Sequence, residues 1–279
     1  MQVAVIGGTG GLGRLLVAEL AARGDAVRVV GRRVPPEGEE PPSGAAHLGT
    51  AGADGAGVVE HRQADVRSGE GLASALEGVD VVVDTVNDRG GDEAVLVEGT
   101  RRLLAAAAQV GCRHHVAISV VGCDRVSQRY YRAKLAQEEV VTHGPVAWSL
   151  LRSTQFHSFV AGMLAAAARA RIVPTGGALV QPIDPSVVAR LLADTVHAGP
   201  SGRLADVGGP QVLTLTQAAV EWRRHSGRWL LPLRMPLAGR MGRALREGAL
   251  CAPDHALGGP TFAQWLAAHA AAGARAGVA

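Results

Sequence analysis

One pentapeptide, Tyr130-Tyr131-Arg132-Ala133-Lys134, holds both tyrosines and the only lysine of this 279-residue chain, whose other 27 basic residues are arginines. Residues four apart on a helix share a face, so Tyr130 and Lys134 can point into one cleft. A tyrosine can pass a proton to a carbonyl oxygen when a nearby ammonium lowers its pKa. The pentapeptide therefore indicates acid–base chemistry by a tyrosine that is assisted by Lys134.

The spacing leaves open which tyrosine reacts. Tyr130 lies four residues before Lys134 and Tyr131 lies three residues before it, so either ring can face the cleft; we favour Tyr130. Ser119 ends a predicted strand over residues 115–119 and would orient a substrate carbonyl. The competing interpretation is an amphipathic helix with a surface lysine and two packing tyrosines. We predict Ser119, Tyr130 and Lys134 as the catalytic residues.

A glycine-rich turn at the start of the chain is the second candidate site. It follows a predicted strand over residues 2–6 and opens an amphipathic helix over 11–23, the context that a dinucleotide-binding turn requires. Glycines allow the tight turn, the approach of a pyrophosphate and the close packing of helix on strand, and the helix N-terminus favours the phosphates. The residues predicted to contact the cofactor are Gly7, Thr9, Gly10, Gly11, Leu12 and Gly13.

The residues after the second predicted strand, 26–30, indicate which cofactor binds. Sites specific for NAD place an acid there to hold the ribose 2′-hydroxyl. This chain has Gly31-Arg32-Arg33 instead, and two guanidiniums suit a 2′-phosphate. The competing interpretation is a pair of solvated surface arginines. We predict NADP(H) as the cofactor, ahead of NAD(H), with Arg32 and Arg33 as cofactor-binding residues.

Two further segments follow predicted strands at the edge where ligands lie in this architecture. Asp65 and Val66 come after the third strand, 57–61, and could hold the adenine; Asp65 could equally cap a helix over 70–76. Thr85, Val86 and Asn87 leave the fourth strand, 79–85. We predict that these five residues contact the cofactor.

Strands and helices alternate through the first half of the chain. The fourth strand is continuously apolar, as a parallel sheet buried on both faces requires. The alternation predicts an α/β fold with a Rossmann-type doubly wound parallel sheet and a small C-terminal substrate-binding lobe. We assign the NAD(P)-binding core to residues 1–152 and the lobe, interleaved with the core in a single compact unit, to 153–279. Residues 34–56, rich in Pro and Gly, predict a long loop.

Composition narrows the classes of partner. The formal charge is only +3, and no basic run carries interleaved aromatics, so we expect no nucleic-acid partner. No apolar run approaches the roughly 20 residues of a membrane span, so we expect no membrane partner. Cys112, Cys123 and Cys251 are widely spaced, so no metal site is predicted and a reduced, cytoplasmic setting is expected.

These motifs together resemble the short-chain dehydrogenase/reductase superfamily. The spacing Gly7-x-x-Gly10-x-x-Gly13 is the form seen in its extended and atypical branches. Residues 130–139 and 151–157 are similar to the atypical NAD(P)H-binding group that includes NmrA-like proteins. The resemblance implies a Rossmann fold, a nicotinamide cofactor and a role for Lys134 on the nicotinamide ribose. It also implies that the substrate cleft is lined by Ser153, Thr154, Gln155 and Phe156.

The resemblance implies an NADP(H)-dependent oxidoreductase that moves a hydride to or from a small carbonyl, enone or quinone-like substrate. Some atypical members lack a working tyrosine or sense the cofactor without turnover. The alternative function is therefore a non-catalytic NADP(H)-binding redox sensor or regulator of the NmrA-like type. We expect a small-molecule substrate and a monomer or homodimer.

Overall fold

The computed structural model describes residues 1–33, 57–235 and 238–276, with side chains described as far as residue 269. The loop predicted over 34–56 lies outside the described residues. The chain divides into two compact units, and each is described by itself below. Unit 1 comprises Met1–Ser119, Arg132–Leu151 and Val188–Leu204. Unit 2 comprises Val120–Tyr131, Arg152–Val187 and Ala205–Ala279.

The elements of the described residues are numbered in chain order. The strands are β1 (Gln2–Ile6), β2 (Ala26–Gly31), β3 (Val59–Gln63), β4 (Val81–Asp84), β5 (His114–Val120), β6 (Trp148–Ser153), β7 (Ile172–Pro174), β8 (Leu179–Val180), β9 (Gly202–Arg203), β10 (Leu213–Thr214) and β11 (Leu231–Leu233). The helices are α1 (Gly11–Ala22), α2 (Leu72–Leu76), α3 (Glu93–Leu96), α4 (Glu98–Gln109), α5 (Arg129–Thr142), α6 (His157–Ala167), α7 (Pro185–Ala198), α8 (Leu215–Ser226), α9 (Gly239–Arg246) and α10 (Phe262–Ala276).

A seven-stranded parallel sheet runs through unit 1 in the order β3-β2-β1-β4-β5-β6-β9. Ile6 of β1 lies between Val30 of β2 and Asp84 of β4. The strand order reverses between β1 and β4, and in open α/β sheets a ligand binds at the carboxyl ends of the strands at this point. The prediction of a Rossmann-type doubly wound sheet is confirmed.

Apolar side chains on both faces of the sheet explain why this topology forms. All four residues of β4 are buried, which parallel strands covered on both faces require. Leu103 and Leu104 of α4 pack in one core cluster with Val82 of β4. Helix α1 buries Leu16 and Leu20. These contacts fix the carboxyl ends of β1 and β4 and the start of α1 in one place.

Unit 2 is built from short elements around its own core. Strands β7 and β11 pair in parallel, and β8 and β10 pair antiparallel. Helices α6, α8 and α10 bury apolar side chains in one cluster, whose largest members include Leu164, Trp222 and Phe262. Helix α8 begins with a capping box in which Thr214 and Gln217 satisfy each other's backbone amides.

Two predicted boundaries differ from the structure for local reasons. The third strand starts at Val59 and not at residue 57, because the Gly57 amide donates to the Ala21 carbonyl at 2.8 Å, outside the strand ladder. The strand-like pattern of residues 203–207 predicts a further strand, but β9 covers only Gly202–Arg203, and Val207 instead forms an isolated bridge with Ser153. Sequence periodicity carries no signal for such close backbone contacts.

Candidate cofactor-binding and catalytic residues

The glycine-rich turn is held by backbone hydrogen bonds that leave no room for side chains. The amide of Gly7 donates to the Val30 carbonyl at 2.9 Å, and the amide of Gly10 donates to the Gly7 carbonyl at 2.8 Å. Gly7 has a φ of +77°, a conformation that favours glycine. A Cβ on Gly13 would lie 2.3 Å from the Gly7 carbonyl oxygen. Gly7 and Gly13 are therefore required for α1 to cross the turn so closely.

The start of α1 provides the donors for an anion. Gly10 caps the helix without a side-chain hydrogen bond, and the first intrahelical bond runs from the Arg14 amide to the Gly10 carbonyl. The amides of Gly11, Leu12 and Gly13 precede it and point out of the helix end. A Cβ on Gly11 would meet no atom within 4 Å. The turn thus combines open space with backbone donors at a helix N-terminus, which fits a pyrophosphate.

Thr9 and Leu12 differ in what their side chains do at this turn. Thr9 is exposed, and its hydroxyl lies 3.8 Å from the position of a Cβ on Gly31. Leu12 is buried in the core, so only its backbone faces the turn. We therefore expect Thr9 to contact the cofactor through its side-chain hydroxyl and Leu12 through its backbone amide.

Arg32 and Arg33 are exposed directly after β2. The side-chain amide of Gln63 donates to the Arg32 carbonyl at 3.2 Å, which ties this segment to the end of β3. Gly31 brings the segment next to Thr9 of the glycine-rich turn. Arg32 and Arg33 therefore follow directly on a residue that neighbours the glycine-rich turn.

Asp65 shapes its own loop, and the predicted alternative of a helix cap is wrong. Its carboxylate accepts a hydrogen bond from the Arg67 amide at 2.8 Å, and its carbonyl accepts one from the Gly69 amide at 2.7 Å. Helix α2 starts later than predicted, at Leu72, after Gly71 in a left-handed conformation. The turn from 65 to 70 separates Asp65 from the helix and prevents capping.

Val66, Thr85, Val86 and Asn87 occupy the neighbouring edge of the sheet. Val66 is half-buried against the core. The Thr85 hydroxyl donates to the Ile6 carbonyl at 2.7 Å, and the Val86 amide donates to the Asp84 carboxylate at 2.9 Å. Asn87 is exposed. Thr85 also limits the space at Gly7, whose Cβ would lie 3.1 Å from its hydroxyl oxygen.

Lys134 is buried in unit 1 with a side-chain exposure of 2%. Its ammonium donates to the Ile118 carbonyl at 2.9 Å and to the side-chain oxygen of Gln137 at 2.6 Å. Burying an ammonium costs several kcal/mol unless hydrogen bonds and a counter-charge compensate it. The hydrogen bonds of Lys134 therefore lead to the groups that offset the cost of burying its charge.

Asp84 supplies the counter-charge through Gln137 and Thr100. The Gln137 amide nitrogen donates to the Thr100 hydroxyl at 2.9 Å and to the Asp84 carboxylate at 3.3 Å. The Thr100 hydroxyl donates to the same carboxylate oxygen at 3.2 Å. We call Asp84, Thr100, Lys134 and Gln137 the lysine network. Of these four residues, sequence spacing identified only Lys134; for the other three, an acid that ends an apolar strand was the one available signal.

Ser119 and the two tyrosines fall in different units. Ser119 is buried in unit 1 on β5, next to Ile118, whose carbonyl accepts the hydrogen bond from Lys134. Helix α5 carries both tyrosines and Lys134, and the division between the units falls between Tyr131 and Arg132. The structure therefore brings Ser119 and the lysine network into one unit and assigns Tyr130 and Tyr131 to the other.

The two tyrosines differ in their surroundings within unit 2. Tyr131 packs against an apolar cluster that includes Val126, Ala249 and Leu250. Burial, with smaller contributions from Tyr130 and Cys123, raises the pKa of Tyr131 to about 12. The two rings meet edge to face, with centroids 5.3 Å apart. Packing accounts for Tyr131, which leaves Tyr130 as the stronger candidate for proton exchange.

The predicted substrate segment is held firmly by unit 2. The Thr154 hydroxyl donates to the Gln181 carbonyl at 2.6 Å. The Gln155 side chain donates to the Leu250 carbonyl at 2.8 Å and accepts from the Gln181 amide at 3.2 Å. These bonds engage the polar side chains of Thr154 and Gln155 in the fold.

Ser153 and Phe156 flank these two residues. Ser153 is buried, and its carbonyl accepts from the Val121 amide at 3.0 Å. Phe156 precedes α6 and is partly exposed. Among the four predicted residues, Phe156 has the side chain with the most freedom to meet a substrate.

The histidines on β5 are buried and neutral. His114 shares a hydrogen bond of 2.9 Å with Ser149, and burial followed by the neighbouring His115 lowers its pKa to about 4. Burial also lowers the pKa of His115, although Asp84 opposes the shift. Within residues 1–33, 57–235 and 238–276, no group of three His, Cys, Asp or Glu side chains is arranged to hold a metal ion.

Comparisons with known proteins bear on this site. Residues 7–197 match the model of a family described as NAD(P)H-binding. A sequence search of curated proteins gives no match. None of the helices in the described part of the chain is long and apolar enough to cross a membrane.

Three solved structures share the fold. The NADPH-dependent quinone oxidoreductase QOR2 from Escherichia coli, in complex with NADPH, has a TM-score of 0.71 at 20% identity over 96% of this chain and 99% of its own. Triphenylmethane reductase from Citrobacter sp., complexed with NADP(H), has a TM-score of 0.71 at 17% identity over 97% and 100%. A nucleoside-diphosphate-sugar epimerase from Staphylococcus aureus has a TM-score of 0.71 at 16% identity over 96% and 100%.

The family match begins at Gly7, the first glycine of the turn, and continues through all the predicted cofactor-binding residues and the lysine network. It covers more than half of the chain. The sheet order and the glycine-rich turn agree with it. The chain therefore belongs to this NAD(P)H-binding family.

Proposed function

We propose that the chain is an NADP(H)-dependent oxidoreductase that acts on a small carbonyl, enone or quinone-like substrate. The observation that carries the proposal is the lysine network: the only lysine of the chain is buried, donates to the carbonyl of Ile118, the residue before Ser119, and is joined through Gln137 to Asp84. A buried ammonium held in this way suits a site that must keep positive charge beside reacting groups. The names of QOR2 and triphenylmethane reductase, both of the same fold, agree with a reductase.

Different residues of unit 1 would bind different parts of the cofactor. The amides of 11–13 bind the pyrophosphate, and Arg32 and Arg33 bind the 2′-phosphate. Asp65 and Val66 contact the adenine, Thr85–Asn87 line the carboxyl edge, and Lys134 binds the nicotinamide ribose. When bound, the dinucleotide supplies or accepts the hydride at the nicotinamide ring.

The remaining residues handle the substrate and its proton. The Tyr130 hydroxyl exchanges a proton with the carbonyl oxygen of the substrate. The Lys134 ammonium lowers the pKa of the tyrosine hydroxyl and so favours the tyrosinate. The Ser119 hydroxyl orients the carbonyl. Residues 153–156 contact the rest of the substrate, with Phe156 providing apolar surface. The high pKa of Tyr131 supports the choice of Tyr130.

Consumption of NADPH against a panel of aldehydes, ketones, enones and quinones tests the proposal. Tyr130→Phe should lower kcat at least about 100-fold while NADPH affinity stays within about twofold, because the hydroxyl acts on the proton alone. Tyr131→Phe is the matched control and should retain activity. Equal losses in both variants, or a panel without any turnover, would remove Tyr130 from the mechanism.

A titration calorimetry comparison of NADPH and NADH tests the cofactor choice. Replacing Arg32 and Arg33 together by Ala should weaken NADPH binding by about 100-fold, since charge-assisted bonds to phosphate contribute about 1.5–3 kcal/mol. NADH affinity should change little. Wild-type protein that prefers NADH would contradict the role of both arginines.

A second candidate is a redox sensor that binds NADP(H) without turnover. It is favoured by the two hydrogen bonds that Lys134 already makes to Ile118 and Gln137, because such bonds also serve a purely structural lysine. A sensor would bind NADPH and NADP⁺ with different affinities and would protect different amides from hydrogen exchange in the two states. It would show no substrate-dependent NADPH loss with any compound of the panel.

A further inference from the structure

Positive charge is concentrated in two segments of unit 2. Residues 157–183 and 222–246 contain nine arginines and no Asp or Glu, whereas the rest of the chain contains 19 basic and 25 acidic side chains. Both segments belong to unit 2. A chain with a formal charge of only +3 thus has a strongly basic part and a net acidic remainder.

The fold of unit 2 brings the two segments together. Strand β7 of the first segment pairs in parallel with β11 of the second, with Ile172 opposite Leu231. The Leu231 amide donates to the Arg171 carbonyl at 2.9 Å. A Cβ on Gly177 would lie 3.6 Å from the side chain of Arg246, so α9 also meets the end of the first segment.

The paired strands have a buried face and an exposed apolar face. Val173 and Leu230 point inward and join the core cluster of unit 2. The outward side chains are 42% exposed at Ile172, 39% at Leu231 and 57% at Trp229. Alternation along a strand places these side chains on one side of the pair. Met235, two residues after β11, is 53% exposed, and its amide donates to the Leu233 carbonyl at 2.8 Å in a tight turn.

Exposed arginines adjoin the two paired strands in sequence. Arg169 and Arg171 precede β7, and Arg228 and Arg234 flank β11. Within the part of the chain that the structure describes, these four guanidiniums form no ion pair with a carboxylate; Arg228 instead lies 5.8 Å from the centre of the Trp222 ring. We call Ile172, Trp229, Leu231, Met235 and these four arginines the basic apolar surface.

Arg171 occupies a position where glycine would be less strained. Its φ of +60° is the one positive value of a non-glycine residue among the described residues. A left-handed conformation costs such a residue about 1 kcal/mol. The chain contains 37 glycines, yet an arginine stands at this join between α6 and β7. A charged side chain at this position is therefore kept at a cost to the fold.

We propose that the basic apolar surface binds peripherally to an anionic phospholipid membrane. Isoleucine, leucine, methionine and tryptophan side chains can enter the boundary between headgroups and acyl chains, while arginines at the rim bind lipid phosphates. Tryptophan is favoured at this boundary. The absence of a spanning helix does not bear on such surface contact. Nucleic acid would use the arginines but would leave the aliphatic side chains in water.

Vesicle flotation with the full chain tests the proposal, with phosphatidylcholine vesicles compared to vesicles in which about one third of the lipid is phosphatidylglycerol. The wild type should float with the anionic vesicles only and should be released by high salt, because the attraction is screened. Arg171→Gly should lower the partition coefficient about fivefold, and Arg171→Gly with Arg234→Gln about 25-fold.

The variants are chosen so that loss of folding cannot explain loss of binding. Arg171→Gly relieves the left-handed arginine and should keep or raise Tm. Trp229→Ser removes an exposed ring and should lower partitioning about fivefold or more at an unchanged Tm. Arg190→Gln, an exposed arginine of unit 1, and Leu15→Ser, an exposed leucine of unit 1, are the charge and apolar controls and should bind like the wild type.

Five outcomes would overturn the proposal. The first four are wild-type protein that stays with neither kind of vesicle, equal flotation with both kinds, equal losses in the controls, and Arg171-dependent binding of short duplex DNA without vesicle binding. Dimerisation that depends on the basic apolar surface, without flotation, would assign this surface to a second copy of the chain and would also overturn the proposal. The experiment needs neither cofactor nor turnover, so its result is independent of the proposed oxidoreductase activity.

Discussion

The lysine network of unit 1 and the basic apolar surface of unit 2 handle cationic side chains in opposite ways. Lys134 is 2% exposed, donates two hydrogen bonds and is joined through Gln137 to the carboxylate of Asp84. Arg171 and Arg234 are exposed and lack a described carboxylate partner. One region compensates a buried charge internally, and the other presents charge outward.

The difference explains why the chain uses one lysine among so many arginines. An ammonium is compact, and its donors can reach a carbonyl and an amide oxygen at a buried position. A guanidinium is planar and larger, and its weaker hydration suits exposed contacts with phosphate. At the buried position of Lys134 the shape of the cation matters most. At the basic apolar surface, the number of hydrogen-bond donors and their geometry matter most.

The largest expected effect comes from removing the bridge in the lysine network. Gln137→Leu separates the Lys134 ammonium from Asp84 and should lower the free energy of unfolding by about 3 kcal/mol, as in other broken buried charge pairs. Urea unfolding at equilibrium measures it. Gln128→Leu, at an exposed position, should change it by less than about 0.5 kcal/mol.

A double-mutant cycle sharpens this prediction. In a Lys134→Met background the ammonium is absent, so Gln137→Leu should cost at least about 1 kcal/mol less than in the wild type. Equal costs in both backgrounds would mean that Gln137 serves Thr100 and Asp84 alone. The contrast between a compensated and an uncompensated cation would then lose its main support.

Exchanging the two kinds of cation should have a smaller effect that differs between the regions. Lys134→Arg forces a larger planar group into a filled site and should cost about 2 kcal/mol. Arg234→Lys, at the exposed surface, should cost less than about 0.5 kcal/mol. Thermal unfolding of both variants measures the difference, and a Lys134→Arg protein as stable as the wild type would show that the site does not select for shape.

The smallest expected effect is a dependence on pH that belongs to unit 1. His115 is fully buried, and neither ring nitrogen has a hydrogen-bond partner among the described residues. Burial lowers its pKa from 6.5, so the unfolded chain binds the proton more readily and stability falls as the pH drops below about 6.5.

His115→Leu tests this dependence. It should change the free energy of unfolding by less than about 1 kcal/mol at neutral pH, because an unpaired polar group is replaced by an apolar one. It should also reduce the loss of stability between about pH 7 and pH 5. A variant with the same acid sensitivity as the wild type would assign the loss to His114 or to other groups.

The glycine-rich turn, the strand and helix alternation and the Rossmann-type sheet were predictable because each depends on neighbouring residues. Gly7, Gly10 and Gly13 are close in sequence, and a short apolar strand before an amphipathic helix is a local pattern. The helix that carries Tyr130 and Lys134 was predictable for the same reason. The outcome for Asp65 was not, because its loop is closed by backbone bonds that have no sequence period.

The lysine network and the basic apolar surface could not be read from spacing. Gln137 and Asp84 are 53 residues apart, and Thr100 lies on a third element between them. Strands β7 and β11 have three residues each, too few for a period, and their pairing joins distant parts of the chain. Burial and pairing of this kind follow from packing and not from local propensity.

The sequence by itself determined the glycine-rich turn, the arginines that follow β2 and the helix with the tyrosines and the lysine, because backbone conformation and helical phase are local properties. Only the tertiary structure decided that Lys134 is compensated by Asp84 through Gln137, and that Tyr131 is a packed side chain. It also placed nine arginines of two segments in one unit. Desolvation and hydrogen bonding depend on which distant groups meet, and that is set by the fold of the whole sheet and its covering helices.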